Sequence, residues 1–155
     1  TIVGIGEMEG QLRARIGQLG LQERVALTGG LPHEEVLRRM AQSDLFVLPS
    51  WGEGYGIVYI EAMAAGCIAV GAKDEGIADT ITDGENGFLV PAGGIDETER
   101  VMRQVFAHPE RYEALRQKGM QAARGLTWAR NAEQTAEVYR EAIEHWRKEH
   151  AQAGH

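Results

Sequence analysis

Short apolar runs alternate with helical patterns along most of the chain. Runs such as Leu45–Leu48 and Phe88–Val90 have the continuous hydrophobicity that is typical of strands covered on both faces. Between the runs, apolar residues recur at intervals of three and four, as they do on one face of a helix. Strands that alternate with helices predict βαβ units and a parallel sheet.

The alternation places the predicted elements as follows. Strands are predicted at Thr1–Gly4, Val25–Thr28, Leu45–Leu48, Ile68–Val70 and Phe88–Val90. Helices are predicted around Leu12, Ile16 and Leu19, after Pro32 with Val36, Leu37 and Met40 inward, and over Ile57–Ala65 and Gly76–Ile81. The fold class is therefore α/β, a Rossmann-like parallel sheet flanked by helices.

Only helical patterns follow the last strand, and they predict a helical C-terminal extension. Asp96 and Glu99 have the spacing of a capping box at the start of the first of these helices. Its buried residues are expected to be Met102, Val105 and Phe106. Further helices are expected near Pro109 and near Thr127. The last one carries an apolar stripe of Ala132, Ala136, Tyr139, Ile143 and Trp146.

The 155 residues fit one domain, with an α/β part over 1–92 and C-terminal helices over 93–155. A formal net charge of -7 makes nucleic acid an unexpected partner. Cys67 is the only cysteine, which excludes an intrachain disulfide and favours a cytoplasmic location. No apolar run approaches the roughly 20 residues that cross a bilayer. Because Thr1–Gly4 reads as a strand end, we expect an N-terminally truncated excerpt of a longer protein.

The densest set of candidate site residues lies within 49–66, directly after a predicted strand. Glycines open a helix there, between two carboxylates, Glu53 and Glu61. A helix N-terminus offers backbone N–H groups and a partial positive charge, which suits a diphosphate. Gly54 and Gly56 let the backbone approach a ligand, and carboxylates accept hydrogen bonds from hydroxyls. A ligand that is both phosphorylated and polyhydroxylated is a nucleotide sugar.

Other interpretations of these residues stay open. The two carboxylates also fit a glycosidase pair, although their place beside a phosphate-binding helix end makes hydrolysis the weaker hypothesis. Cys67 is expected to be a buried packing residue rather than a nucleophile. His33, which follows Pro32 at a helix start, is expected to be a surface or turn residue rather than a catalytic base.

Glu53 and Glu61 are separated by seven residues, with GYG between them and EAMAAG running from Glu61. This arrangement resembles the E-x7-E motif of the retaining glycosyltransferases of family 4, which have the GT-B fold. The similarity extends to Val25–Gly29, Ser43–Ser50, Asp83–Val90, Leu126–Trp128 and Tyr139. It covers nearly the whole chain and implies the C-terminal, donor-binding lobe of such an enzyme.

The resemblance implies a role for each candidate site residue. Glu53 would contact hydroxyls of the donor sugar and is the candidate catalytic residue, whereas Glu61 would contact the ribose. The other implied donor-binding residues are Gly54, Tyr55, Gly56 and Ile57 at the sugar and diphosphate, Gly30 and Leu31 beside the base, and Gly4 and Gly6 in the glycine turn after the first strand. Glu75 either complements the dipole of the short helix that follows it or biases the choice of donor sugar.

The resemblance implies transfer of a hexosyl group from a nucleotide-diphosphate sugar to an acceptor hydroxyl, with retention and without a metal or other cofactor. The sequence has no Asp-x-Asp pair and no histidine cluster with ligand spacing. In the family the phosphate clamp lies on a segment that would precede residue 1, and the acceptor binds to an N-terminal lobe. We therefore expect weak donor binding and no transfer by this chain alone. The alternative is a non-catalytic nucleotide-sugar-binding or interaction module.

The last helices are expected to pack against the sheet or against the acceptor lobe through Trp128, Tyr139 and Trp146. Without that lobe, part of the stripe would form an exposed apolar patch and a possible surface for self-association.

Overall fold

A three-stranded parallel sheet forms the centre of the molecule. The computed structural model describes residues 1–52 and 54–151. The strands are β1 (Leu45–Val47), β2 (Ile68–Ala72) and β3 (Phe88–Val90), in the order β1-β2-β3. Leu45 lies opposite Ile68, and Val70 lies opposite Phe88. The predicted fold class, a parallel sheet flanked by helices, is confirmed.

Helices occupy most of the remaining described chain. They are α1 (Glu9–Gln18), α2 (His33–Met40), α3 (Ile57–Ala64), α4 (Ile95–Ala107), α5 (Glu113–Gly125) and α6 (Trp128–Ala151). Two short 3-10 helices, Gly76–Asp79 and Pro109–Tyr112, precede β3 and α5. None of the helices in the described ranges is long and apolar enough to cross a membrane.

The core has two layers because side chains of β2 alternate between the faces of the sheet. Ala69 belongs to the cluster around Tyr59 and Met63 of α3. Ile68 and Val70 pack on the other face, in a cluster that includes Val90, Val101 and Val105 of β3 and α4. All five residues of β2 are buried, which accounts for the uninterrupted apolar run in its sequence.

The first two predicted strands form only one parallel bridge, between Ile2 and Leu27. The amide of Ile2 donates to the Ala26 carbonyl at 2.8 Å, and the amide of Thr28 donates to the Ile2 carbonyl at 3.1 Å. A cavity of about 510 Å³, lined by 1–3 and 45–48 among others, lies between this pair and β1. Without a neighbouring strand to extend the ladder, a two-stranded pairing is marginal, so it stops after one bridge.

The predicted helix around Leu12 is present as α1, but it buries none of its residues. Leu12 and Leu19 are exposed and Ile16 is half-buried, so the apolar face of this helix lies largely open. Helix α2 follows the prediction better, since Met40 is buried and Val36 and Leu37 pack against the same cluster.

Helix α4 differs from the prediction in its cap and in part of its buried face, since Val105 is buried as predicted and Met102 is half-buried, but Phe106 is not buried. Its N-cap is Gly94, so Asp96 lies inside the first turn and the predicted capping box is wrong. Val101 and Val105, four residues apart, face the sheet, whereas Phe106 is 59% exposed. One further residue turns a side chain by about 100° around the helix, which carries Phe106 away from the core.

Helix α6 carries its aromatic side chains into solvent. Trp128 is 84% exposed, and Tyr139 and Trp146 are exposed by more than half. Of the two predicted packing partners, the sheet and the acceptor lobe, this sheet is therefore excluded, and the exposed stripe is the one expected for the lobe by itself. The apolar stripe remains open over a helix of 24 residues.

Candidate functional site

The loops that follow the three strands meet at the carboxyl edge of the sheet. The amide of Gly93, in the loop after β3, donates to the carbonyl of Pro49, in the loop after β1, at 3.1 Å. The amide of Gly52 donates to Oε1 of Glu75, in the loop after β2, at 2.9 Å. Ligands of open parallel sheets bind at this edge. Glu75 therefore supports the loop that carries the glycine motif.

The N-terminus of α3 opens at this edge on a left-handed glycine. Gly56 has φ of 72°, and a Cβ there would lie 2.7 Å from the ring of Tyr59. No side chain of the described residues caps α3, and its first turn carries no acidic residue. The amide of Tyr59 donates to the Gly56 carbonyl at 2.9 Å, whereas no described side chain accepts from the amides of Ile57 and Val58, which suits an external acceptor.

The loop of the glycine motif is also held by a close backbone approach. A Cβ on Gly76 would lie 1.7 Å from the carbonyl oxygen of Gly54. Only glycine fits at such a distance, so the 3-10 helix that begins at Gly76 rests directly on the loop.

Glu61 lies in the second turn of α3 and contacts the start of α2. Its Oε1 lies 3.3 Å from Nε2 of His33, and its side chain is 28% exposed. His33 is the first residue of α2, two residues after the half-buried Leu31. The structure thus brings the predicted ribose carboxylate next to the segment that is predicted to flank the base.

The sequence predicts that His33 is a surface or turn residue, and its side chain is 64% exposed at the start of α2. Its contact with Glu61 was not predicted. The position of His33 in the sequence is the signal that could have predicted this contact. It follows the Gly30-Leu31 segment at the same edge of the sheet, where a side chain at a helix start can reach the next helix.

The predicted glycine turn lies beside Gly30. The amide of Gly4 donates to the Gly29 carbonyl at 2.9 Å. A Cβ on Gly30 would lie 3.6 Å from the side chain of Ile5, between Gly4 and Gly6. Glu53, the other carboxylate of the motif, lies outside the described residues.

Tyr55 and Ile57 present exposed side chains around the start of α3. They line a cavity of about 260 Å³ together with Trp128, Asn131 and Gln134, among others, at the start of α6. The hydroxyl of Ser50, in the loop before them, is buried and has no hydrogen-bond partner among the described residues. Both features were missed, since neither follows from a motif.

Cys67 has no part in this chemistry. It is buried, and its Sγ donates to the Met40 carbonyl at 3.0 Å. Burial raises the pKa of its thiol from 9.0 to about 11, with Arg116 lowering it and Asp44 raising it. A thiol of this kind is neutral at physiological pH and is a poor nucleophile.

Within 1–52 and 54–151, no group of three or more His, Cys, Asp or Glu residues is placed to hold a metal ion. Absence of a metal from the reaction stays a prediction.

The chain is similar in sequence and in fold to several glycosyltransferases. The family model described as Glycosyl transferases group 1 matches residues 1–122. D-inositol 3-phosphate glycosyltransferase 1 of Catenulispora acidiphila is 32% identical over 151 residues, covering 93% of this chain and 36% of that protein. Glycogen synthase of Pseudomonas syringae pv. tomato is 34% identical over 146 residues, covering 92% of this chain and 30% of that protein. The chain thus spans about a third of the length of the curated relatives it matches.

A solved structure gives the same result for the fold. The crystal structure of Anabaena Alr3699/HepE in complex with UDP-glucose matches with a TM-score of 0.76 and 26% identity, over 90% of this chain and 40% of that one. The likeness confirms the predicted C-terminal lobe of a GT-B fold.

Proposed function

The chain belongs to the Glycosyl transferases group 1 family, and on that premise we propose that it is the donor-binding lobe of a retaining hexosyltransferase. The proposed donor is a nucleotide-diphosphate sugar, and the proposed acceptor is a hydroxyl group. UDP is the first nucleotide to test, because the similar Anabaena protein was crystallised with UDP-glucose.

One observation carries the proposal. The N-terminus of α3, which no described side chain caps, and the carboxylate of Glu61 lie on the same helix, and Glu61 contacts His33 of α2 at 3.3 Å. Glu61 lies four positions after Ile57, which is about 6 Å along the helix axis. That spacing is comparable with the distance between a ribose hydroxyl and the 5′-diphosphate of a nucleotide.

The arrangement supports a division of roles. The backbone N–H groups from Gly54 to Ile57 would bind the diphosphate and stabilise the negative charge that grows on it as the sugar leaves. Glu61 would accept hydrogen bonds from the ribose hydroxyls, and Glu53 is proposed as the contact to the sugar hydroxyls. Gly30 and Leu31 would flank the base, and the Gly4 and Gly6 turn would border the same cleft.

The rest of the full-length protein would supply what this lobe lacks. We propose that a separate lobe binds the acceptor and that cationic side chains outside this chain complete the phosphate site, with no metal. The single cysteine fits a protein of the reducing cytoplasm. In the isolated chain, a second copy is proposed to cover the apolar stripe of α6.

Ligand-observed NMR with UDP, GDP and ADP tests donor binding. We expect the chain to bind one of them weakly, and we expect Glu61→Ala to weaken that binding at least about 10-fold, because hydrogen bonds to a charged group are lost. Glu99→Ala is the control, since Glu99 is exposed on α4 and pairs only with Arg103 among the described side chains. Binding that is equal in the two variants would contradict the site.

The second candidate function is a nucleotide-sugar-binding module without catalysis. The observation that favours this second function is that the chain spans only 36% of the length of the Catenulispora relative. The acceptor site is expected in the part of the protein that this chain does not span. A transfer assay on the full-length protein separates the two functions. Donor binding without product for any donor would leave the binding module as the function.

A further inference from the structure

His33 is the only side chain of the described residues that contacts the carboxylate of Glu61. The contact joins Nε2 of His33 to Oε1 of Glu61 at 3.3 Å. It leaves Oε2 of Glu61 without a partner in the described part of the chain. The His33 side chain is more exposed than that of Glu61, so the imidazole lies on the solvent side of the pair.

This pair differs from the other histidine–carboxylate pairs of the molecule. His108 and Glu110, at 3.6 Å, are two residues apart, and His145 and Glu149, at 3.5 Å, are on one turn of α6. His33 and Glu61 instead connect two different helices. The contact therefore joins two helices, which also pack through Met40 of α2 and Ala62 of α3, at the carboxyl edge of the sheet.

A glutamate held by one oxygen has less freedom than an unrestrained one. A free side chain of this length loses conformational entropy when a ligand immobilises it, and that loss opposes binding. If a neighbour already restrains Oε1, the Glu61 side chain loses less conformational entropy when the ligand binds. Oε2 then remains to accept hydrogen bonds from the ligand.

We infer that His33 is a positioning residue for nucleotide binding. Its imidazole lies 3.3 Å from Oε1 of Glu61 and, by this polar contact, favours the carboxylate orientation that accepts the ribose hydroxyls beside the Gly30-Leu31 segment. The inference rests on the proposed function, because it assigns the ribose to Glu61. It adds a selectivity for ribose over sugars that lack these hydroxyls.

A double-mutant cycle tests the inference, with dissociation constants for UDP from protein-observed NMR titration. His33→Ala is expected to weaken UDP binding about 2- to 5-fold, the range that follows from losing one largely exposed polar pair. In a Glu61→Ala background, His33→Ala is expected to have no further effect. His33→Gln, which keeps a donor, is expected to restore part of the affinity.

Two controls separate positioning from a general structural effect. His108→Ala removes the imidazole of a pair away from the site and should leave UDP affinity unchanged. With 2′,3′-dideoxyuridine diphosphate as the probe, His33→Ala should also have no effect, because the hydroxyls that Glu61 would accept are gone. A change in stability alone would weaken the binding of UDP and of the dideoxy probe equally.

The outcomes distinguish the two proposals. If Glu61→Ala leaves UDP affinity unchanged, or if no nucleotide binds, the proposed function fails and the inference fails with it. If Glu61→Ala weakens binding while His33→Ala has no effect, or weakens UDP and the dideoxy probe alike, the proposed function stands and the role of His33 is overturned.

Discussion

Gly76 lies so close to the loop after β1 that its identity determines the shape of the site. A Cβ would lie 1.7 Å from the carbonyl oxygen of Gly54, a backbone atom that cannot rotate away. Gly76→Ala is therefore expected to displace the loop, to lower the free energy of unfolding by about 1–3 kcal/mol, and to weaken nucleotide binding.

Urea unfolding and NMR titration with UDP measure both effects. Gly10→Ala is the matched control, because the space around Gly10 of α1 is open. Alanine in a helix is more favourable than glycine by roughly 0.5–1 kcal/mol, so this variant should be as stable as the parent or slightly more so. Equal behaviour of the two variants would contradict the close approach at Gly76.

Cys67 gives a prediction about alkaline pH. Burial raises the pKa of its thiol from 9.0 to about 11, so the folded state binds this proton more tightly than the unfolded state. The resulting contribution to stability is complete below about pH 9 and is lost as the pH rises through about 11. Between about pH 9 and pH 11, the free energy of unfolding of Cys67→Ala is expected to fall by about 2–3 kcal/mol less than that of the parent. The figure follows from 1.36 kcal/mol per pKa unit.

Urea unfolding at several pH values from 8 to 11 checks this difference. Because both proteins share every other titrating group, the comparison isolates the thiol. Parallel pH profiles for the parent and Cys67→Ala would show that the thiol ionises as easily in the folded state as in the unfolded state.

At the residue scale, the sequence predicted the positions that belong to a motif and missed those that act across the fold. Gly56 was predicted to open a helix, and it does so with a positive φ. The contact of His33 with Glu61 and the hydrogen bond from Gly52 to Glu75 connect residues that are distant in sequence. No local pattern encodes such contacts, because they depend on how helices and loops pack.

At the element scale, burial decided which predictions held. The apolar run of β2 and the small residues of α3 specify their elements, since both are buried in the core. The stripe on α1 has the correct period for a helix, but nothing in the described chain covers it. Periodicity therefore predicted the helix and could not predict its partner.

The exposed apolar stripe of α6 leads to a prediction about self-association of the chain. Exposed apolar faces of this length favour association. If a second copy covers the stripe, as proposed, the chain should dimerise at high micromolar concentration, and Trp146→Glu should shift it towards monomer.

Sedimentation equilibrium measures this change directly. Glu141→Gln is the control, because it alters an exposed charged position of α6 and removes no apolar surface. A monomer at all concentrations, or equal dimerisation of parent and Trp146→Glu, would contradict the proposed contact.

At the scale of the whole molecule, the sheet is divided. One part is the ladder β1-β2-β3, and the other is the Ile2–Leu27 bridge across a cavity of about 510 Å³. The alternation of apolar runs predicted a parallel sheet with helices on both faces. It could not predict the gap, because a run of apolar residues specifies a strand and does not specify its neighbours.

The site lies at the carboxyl edge of this divided sheet, where α2 and α3 begin. The central claim is that a nucleotide binds there, between the start of α2 and the second turn of α3. The most direct measurement is a map of amide chemical-shift changes on the chain as UDP-glucose is added.

We expect the largest changes to fall in 29–33 and 54–61, and we expect Glu61→Ala to reduce them strongly. The apolar cavity of about 860 Å³ beside α4 reaches the same edge at Pro49 and Gly93, so only its far end, lined by Phe106 and Ala107, is the internal comparison. Changes that cluster around Phe106 and Ala107, or no changes in 29–33 and 54–61 at millimolar ligand, would show that no nucleotide binds at the start of α2 and α3.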